Sequence, residues 1–475
     1  MEDLIKTGDR IFILYDVRRQ WIRTVQDDKD FHCDKGFLHF DDLIGHPYGH
    51  TYRLQPNNNK VAVLRPLASD IIFRMKRESQ IIYPEDIGTI LCYANIRPGS
   101  KIVEAGTGSG TVTGILAHYC SPQGHVYSFD IRENALDQAR KNVVQMGMEN
   151  VTTLQMGNIL EDSFDFTDID FVMLDLATPW DAVANIIPYL HPQKGKMCLF
   201  SPTLEQVKKN VLALSQERVP YIRTIELMKR FYQVKPNATR PLGRMVGHTG
   251  FMTSGALTPI QFEKMGYTTF YSPENIGNLL VYAQITSSTK VLLITVDESP
   301  MAALLQNLLK ESVNMTVISV SSPKDQIDKS VKQQIHTVLA EISSNSSNIS
   351  DSSNSPVFPV ILIDNLELSL MMDEISALLI NGGMFCAIHA YIEGAREFHF
   401  HLKNHRFYDI STSELIKREI VVDLDTLTTS ASILPNTGYI SMGRKIQDNI
   451  VFVQGPTKKS EKVEMILDVG RDLET

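Results

Sequence analysis

The chain repeats itself at long range. Pro84-Glu85-Asp86-Ile87-Gly88 recurs 189 residues later as Pro273-Glu274-Asn275-Ile276-Gly277, and reading on without gaps to Val103 and Leu292 gives nine identities in 20 positions. Later landmarks keep nearly the same offset. Asp175 meets Asp364, Gly195 and Cys198 meet Gly383 and Cys386, Glu226-Leu227 meets Glu414-Leu415, and Thr249-Gly250 meets Thr437-Gly438. Self-similarity over so long a period is the mark of a whole domain duplicated in tandem. A chain of 475 residues is also longer than one hydrophobic core ordinarily serves.

The texture of the sequence divides it further. Residues 1 to about 60 alternate apolar and polar positions in short runs such as Asp9-Arg10-Ile11-Phe12-Ile13-Leu14-Tyr15, broken by Gly, Pro, Asn and Asp. That pattern predicts a small β module over 1–62. From there on, continuous apolar runs (Lys101-Ile102-Val103-Glu104, Val126 to Asp130, Phe171 to Asp175) alternate with helix-length segments, which predicts a doubly wound α/β domain over 63–255. The repeat predicts a second such domain over 256–456. A Ser/Asn-rich tract, Ser343 to Ser355, interrupts it and cannot bury a core, so a disordered loop is expected near 343–356, with a tail over 457–475.

Composition narrows the setting. With 43% hydrophobic and 21% charged residues the chain is globular, and it has no apolar run long enough to span a bilayer and no basic-then-apolar leader. A cytoplasmic location is expected. Its five cysteines are widely spaced with no C-x-x-C pair, which argues against disulfides and against a bound metal. A net charge of −9 argues against an indiscriminate nucleic-acid binder, so any RNA contact rests on local patches. Two stand out, Arg74-Met75-Lys76-Arg77 and the set Lys229, Arg230, Lys235, Arg240, Arg244 and His248. The plainer reading of either is a solvated face.

Candidate chemistry lies in the first copy. Glu104-Ala105-Gly106-Thr107-Gly108-Ser109-Gly110 follows an apolar strand and leads into Ile115-Leu116-Ala117. Glycines at such a bend let backbone approach a ligand at the carboxyl end of the strand. The spacing departs from the dinucleotide fingerprint, because the glycine after Gly108 comes one residue early, and Glu104 places an anion where a pyrophosphate wants none. A ligand with a cationic amino group fits better, against the alternative of a plain tight turn. Asp130 ends the next strand 20 residues past Gly110, where a carboxylate can accept both ribose hydroxyls. Gly157-Asn158-Ile159 ends the third strand, and Leu174-Asp175-Leu176-Ala177-Thr178-Pro179-Trp180 ends the fourth, placing a carboxylate and an aromatic at the same cleft. Asp175 as a helix cap and Trp180 as core remain the structural alternatives.

These motifs resemble a known family. The glycine bend is similar to the first motif of class I methyltransferases. Arg65-Pro66-Leu67 through Arg77, Gln80 to Asp86, Leu174 to Trp180 and Arg244-Met245-Val246-Gly247-His248-Thr249-Gly250-Phe251 look like the tRNA (adenine-N1)-methyltransferases that act at position 58 of the T-loop. Phe37 to Gly45 resembles their N-terminal β module, so the likeness runs from about residue 5 to 255. The resemblance implies a class I (Rossmann-like) fold and S-adenosylmethionine held by Glu104, Gly106, Thr107, Gly108, Ser109, Asp130, Asn158, Ile159 and Asp175. It implies Asp175 at the target adenine, with Tyr83 and Trp180 packing on the extruded base. Arg74, Lys76, Arg77, Arg240, Arg244 and His248 would grip tRNA. N1 of adenine is already a neutral nucleophile, so a carboxylate is needed there to stabilise the cation that methylation creates rather than to act as a strong base.

At the aligned positions the second copy has lost these groups. Gly106 to Gly110 becomes Thr295-Val296-Asp297-Glu298-Ser299, Asp130 becomes Ser319, Pro179-Trp180 becomes Leu368-Ser369, and Arg244 and His248 become Ser432 and Asn436. Only Asp364 survives. The expectation is a retained fold without chemistry, like a non-catalytic paralogue fused to its catalytic partner, and a homodimer that assembles four α/β domains. A methyltransferase acting on a small molecule or protein, and a non-catalytic tRNA-binding scaffold, are the competing readings.

Overall fold

The computed structural model describes residues 4–16, 18–74, 81–257, 271–296, 299–309, 314–320, 331, 333–335, 337, 358–364, 372–405, 407–422, 427–429 and 438–446. The Ser/Asn-rich tract, the tail over 457–475, and Lys76 and Arg77 lie outside these residues.

Six short strands, β1 (Arg10–Leu14), β2 (Gln20–Thr24), β3 (Asp30–Cys33), β4 (Gly36–His39), β5 (His50–Leu54) and β6 (Asn59–Leu64), build the N-terminal module. Four form an antiparallel sheet in the order β2-β1-β6-β5, while β3 and β4 make a separate ribbon. Strand β1 is buried on both faces. Ile11 and Ile13 join Phe31, Leu54, Val61 and Val63 inside the module. Phe12 and Leu14 point the other way, with Ala62 and Leu64, onto Tyr408 and Ile446 of the second half. The period-2 alternation of a strand thus gives one face to each of two cores.

The first α/β unit contains β7 (Lys101–Ala105), β8 (His125–Asp130), β9 (Thr152–Met156), β10 (Phe171–Leu174), β11 (Lys196–Ser201), β12 (Arg223–Gln233), β13 (Arg240–Pro241) and β14 (Phe251–Ala256). Its sheet runs β9-β8-β7-β10-β11-β14-β12, with β13 paired on β12. The first five strands of that order are parallel and β14 is antiparallel to β11. All residues of β10 and β11 are buried, the continuous apolar pattern expected of strands covered on both sides. Strand order reverses between β7 and β10, which opens a crevice beyond their carboxyl ends.

The second unit repeats the plan. It contains β15 (Val291–Val296), β16 (Met315–Val320), β17 (Phe358–Asp364), β18 (Leu379–His389), β19 (Phe407–Val422), β20 (Leu427–Thr429) and β21 (Tyr439–Lys445). Its order is β16-β15-β17-β18-β21-β19, the order of the first unit without its third strand among the described residues. The capping chemistry also recurs. The helices Pro84–Ala94 and Pro273–Ala283 both start on a proline at the first turn and both end on a left-handed residue, Asn95 and Gln284.

The two sheets fuse into one through an antiparallel pairing of β12 with β19, from Thr224 opposite Ile420 to Phe231 opposite Ser413. Met228 faces Ile416, and 416 − 228 = 188, the repeat offset at this point of the chain, so equivalent residues meet. The same holds where the Pro84–Ala94 and Pro273–Ala283 helices cross. A Cβ on Gly88 would lie 2.3 Å from the Gly277 carbonyl oxygen, and one on Gly277 would lie 2.1 Å from that of Gly88. Side-chain contacts come in reciprocal pairs. Tyr93 donates to Glu274 at 2.9 Å and Tyr282 to Glu85 at 3.0 Å. Arg418 reaches Glu226 at 3.1 Å and Arg230 reaches Glu414 at 3.5 Å. The two units are therefore related by a local two-fold axis, the geometry of an isologous dimer interface contained in one chain.

This pairing corrects one reading of the charge pattern. Lys229 does not belong to a solvent-facing basic patch, whereas Arg230 stays part-exposed while reaching Glu414. Lys229 is buried, donates to Asn278 at 3.3 Å and lies 3.6 Å from the Tyr282 ring centre, and burial lowers its pKa to about 8. A strand that reads as exposed in isolation becomes internal once its edge is covered. One apolar core continues across the axis. Arg444 of β21, fully buried, donates to Asp70 at 2.7 Å and to the Arg65 carbonyl, tying the second unit to the link between the β module and the first unit. No helix among the described residues is long and apolar enough to cross a membrane.

Candidate active site

The crevice beyond β7 and β10 is built from backbone first. Ala105 of β7 is in register with Leu174 of β10, so the residues that follow, Gly106 and Asp175, lie side by side. Gly106 has φ +91°, and a Cβ there would sit 2.0 Å from the Asp175 carbonyl oxygen. Only glycine supplies both the left-handed backbone and the clearance. Gly110 meets the same demand farther along the bend, with φ +74° and a hypothetical Cβ 2.9 Å from that of Ala139. The bend then opens the helix Thr111–Cys120.

Three carboxyl groups surround this bend. Glu104 is buried and accepts hydrogen bonds from Thr113 and, at 2.7 Å, from Ser128. Burial pushes its carboxyl up to about 7, against these hydrogen bonds and with help from the nearby charges of Asp175 and Asp130. Asp175 stands at the rim, open to solvent yet walled by protein, and this desolvation raises its carboxyl to about 6. None of the described groups donates a hydrogen bond to it. Asp130 is different. Burial raises its carboxyl, but the Arg132 side chain at 3.1 Å and the backbone N–H groups of Gly108 and Arg132 at 3.0 Å outweigh that and hold it below the ordinary range.

The other expected residues fall around the crevice in varied roles. The Thr107 hydroxyl turns inward to Ser128 at 2.7 Å, and the Ser109 hydroxyl to Thr111 at 2.7 Å. Asn158 closes a turn through its side-chain oxygen, which accepts from the Leu160 N–H at 3.2 Å, while Ile159 is buried. Tyr83 caps the Pro84–Ala94 helix with its backbone and places its ring 6.5 Å from that of Phe73. Trp180, half-buried on a turn after β10, has the Lys209 ammonium 4.5 Å from its ring centre, so one face is taken. Arg240 and Arg244 are exposed, and Arg240 donates to Gln233 at 3.2 Å. Arg74 lies away from these, at the end of the Ala68–Arg74 helix beside Gln20. His248 sits between the Glu226 carboxylate at 2.7 Å and the Pro202 carbonyl at 2.8 Å.

Two carboxyl groups behind these residues escaped the sequence reading of the site. Glu226, which holds His248, is in turn held by Arg418 of the second unit. Asp86 is fully buried, and burial together with Glu85 drives its carboxyl well above the usual range, opposed by Thr249 and the Tyr83 backbone. The aligned residue is Asn275, the same shape without the charge. That substitution is the one signal that could have singled out Asp86. The second unit differs most at its own carboxylate: Asp364 accepts hydrogen bonds from Ser299, from Thr295 at 2.7 Å and from Tyr271 at 3.1 Å. Hydroxyls occupy the position that stands open beside Asp175.

Comparison with known proteins settles what kind of chain carries this crevice. Residues 61–241 match the family described as the tRNA methyltransferase complex GCD14 subunit. The tRNA (adenine(57)-N(1)/adenine(58)-N(1))-methyltransferase TrmI of Methanocaldococcus jannaschii is 33% identical over 235 residues, which span 44% of this chain and 80% of that protein. The chain belongs to the family of tRNA (adenine-N1)-methyltransferases. A second member, the tRNA (adenine(58)-N(1))-methyltransferase catalytic subunit of Dictyostelium discoideum, is 29% identical over 239 residues, covering 49% of this chain and 76% of that one. Among solved structures, the tRNA (m1A58) methyltransferase TrmI of Aquifex aeolicus aligns with 54% of this chain and 98% of its own, at 24% identity and a TM-score of 0.45. Membership in the methyltransferase family implies S-adenosylmethionine as cofactor, and the crevice suits that group. It offers a glycine bend in a left-handed backbone that other residues rarely adopt, and two carboxyls, Glu104 and Asp175, that no described cation pairs.

Proposed function

We propose that the chain transfers a methyl group from S-adenosylmethionine to N1 of a T-loop adenine in tRNA, at position 58 or the neighbouring 57. The observation that carries the reading is the Asp175 carboxyl, which no described group pairs, beside an acid-lined glycine bend. When bound, the cofactor supplies an electrophilic methyl group on a cationic sulfur. Glu104 balances its positive charge, and the Gly106–Gly110 backbone sets how closely it sits. Asp130 takes the ribose hydroxyls once the exposed Arg132 side chain swings aside, and Asn158 and Ile159 border the adenine. Asp175 accepts a hydrogen bond from the 6-amino group of the target base. As N1 becomes alkylated, positive charge spreads onto that amino group and the bond strengthens, so stabilisation is greatest where the barrier lies. Tyr83 and the open face of Trp180 hold the extruded base, and Arg74, Lys76, Arg77, Arg240, Arg244 and His248 contribute to holding the RNA.

The chain divides, in this reading, into the β module over 1–62, the catalytic domain over 63–255 and a degenerate methyltransferase-like domain over 256–456. The shared strand order and the hydroxyl-filled position at Asp364 support a second copy that keeps the fold and has given up the chemistry. The five free cysteines of the chain support a reducing, cytoplasmic setting. Incubation with unmodified tRNA and S-adenosylmethionine, followed by mass mapping of methylated nucleotides, tests the proposal. One added methyl on the T-loop adenine is expected, and methylation of any other acceptor class with tRNA left untouched would overturn it.

A further inference from the structure

A second concavity lies between the β module and the first α/β unit. It encloses about 500 Å³, and β1, β2, the end of the Ala68–Arg74 helix and the helix Glu133–Gln145 wall it. Four cations line it, Arg10, Arg23, Arg74 and Lys141, together with Trp21, whose ring packs 5.1 Å from that of Phe31. No carboxylate is among the described lining residues. Arg10 is half-buried; it donates to the Gln145 carbonyl at 3.2 Å, and burial alone lowers its pKa. Arg23 donates to the Ile22 carbonyl at 2.8 Å, and neither Arg23 nor Lys141 forms an ion pair with a described residue. Arg74 is the exception, with Asp70 and Asp409 in electrostatic reach. Cations gathered in a concave, partly desolvated place repel one another, and this is unfavourable unless an anion completes the site.

We infer that this cleft holds the phosphodiester backbone of the RNA substrate, away from the reacting adenine. The inference rests on the tRNA reading above. Two features favour backbone over base readout: guanidinium and ammonium groups from separate elements, and no acidic group among the described lining residues to select a base edge.

The test is the salt dependence of tRNA affinity, measured by fluorescence anisotropy on the full chain. Each phosphate neutralised contributes about 0.7–0.9 to the slope of log affinity against log salt. The triple variant Arg10→Gln, Arg23→Gln, Lys141→Gln is expected to lower that slope by about two and to weaken binding at least about tenfold at roughly 0.15 M salt, with the loss in KM rather than in kcat at saturating tRNA. Affinity for S-adenosylmethionine by calorimetry stays at the wild-type value. Lys141→Glu, a change on an exposed helix surface, provides a variant that folds regardless and is expected to weaken tRNA binding severalfold. Equal slopes for wild type and variants overturn the inference while leaving the tRNA reading intact. Failure of the wild type to bind tRNA at all takes down both.

Discussion

Glu104 is a carboxyl that the fold keeps short of a counter-charge. Its pKa near 7 means that around neutrality the buried group is shared between acid and anion, whereas a bound cation demands the anion. The sign of the linkage follows. Because the folded state holds this proton more tightly than the unfolded chain, stability contributed by Glu104 is present at acid pH and declines as pH rises from the ordinary carboxylate range through about 7. Binding of a cationic cofactor runs the other way. Affinity for S-adenosylmethionine is expected to rise by up to about tenfold per pH unit below about 7 and to level off above it. Calorimetry about one unit to either side of that value measures this, and Glu104→Gln should bind weakly with a flat profile; a flat wild-type profile removes Glu104 from the role. Asp175 makes a different prediction. Its carboxyl accepts no hydrogen bond from a described residue, so Asp175→Ala should retain the fold and the cofactor while single-turnover methylation of tRNA falls by a factor on the order of 10² to 10³. Unchanged single-turnover rates refute its role. Both acids were visible in the sequence, because each ends an apolar strand, Glu104 beside glycines and Asp175 ahead of Trp180. Arg132 on Asp130 and the buried Asp86 were not, since nothing in the local pattern records which charge a tertiary neighbour brings.

At the scale of elements, the crossing of two helices is fixed by two glycines that meet at the local axis. With the opposing carbonyl 2.3 Å from a hypothetical Cβ at Gly88, no rotamer relieves the clash and the helices must separate. Gly88→Val is therefore expected to cost at least the ~1–3 kcal/mol of an overpacked core, read as a lower Tm. Gly243→Ala, whose Cβ enters open space, serves as the control. A Gly88→Val protein melting with the wild type would mean that the helices do not meet as described. The repeat and the strand order were legible because apolar runs and prolines at helix starts carry local signals. The use of β12 as an internal strand was not. Lys229, Arg230 and Lys235 read as a surface stripe until the edge of β19 covers some of it. Across that seam, Arg418 holds Glu226, and Glu226 holds His248 at the rim of the crevice. Arg418→Met should leave cofactor affinity unchanged and lower turnover on tRNA, with partial rescue by Arg418→Lys; full turnover in Arg418→Met would disconnect the second unit from the site.

Taken as a whole, the molecule has already satisfied one interface within itself. A single-copy protein with an edge such as β12 would need a partner to cover it, since an exposed strand of 11 residues invites pairing with another chain. Here β19 provides that cover, and the reciprocal contacts of Tyr93 with Glu274 and Tyr282 with Glu85 lock the register. A further association must therefore use other surfaces and leave β12 and β19 undisturbed. We expect the chain to form a homodimer carrying four α/β domains, two with the full cofactor crevice and two with the hydroxyl-filled one. Sedimentation equilibrium should then return about 107 kDa, twice 53.5 kDa. Glu226→Arg, which breaks the internal seam, should lower stability without changing that mass, and the double change Glu226→Arg with Arg418→Glu should recover much of the loss. A mass of 53.5 kDa at working concentrations would show that the pseudo-dimer inside one chain is the complete assembly.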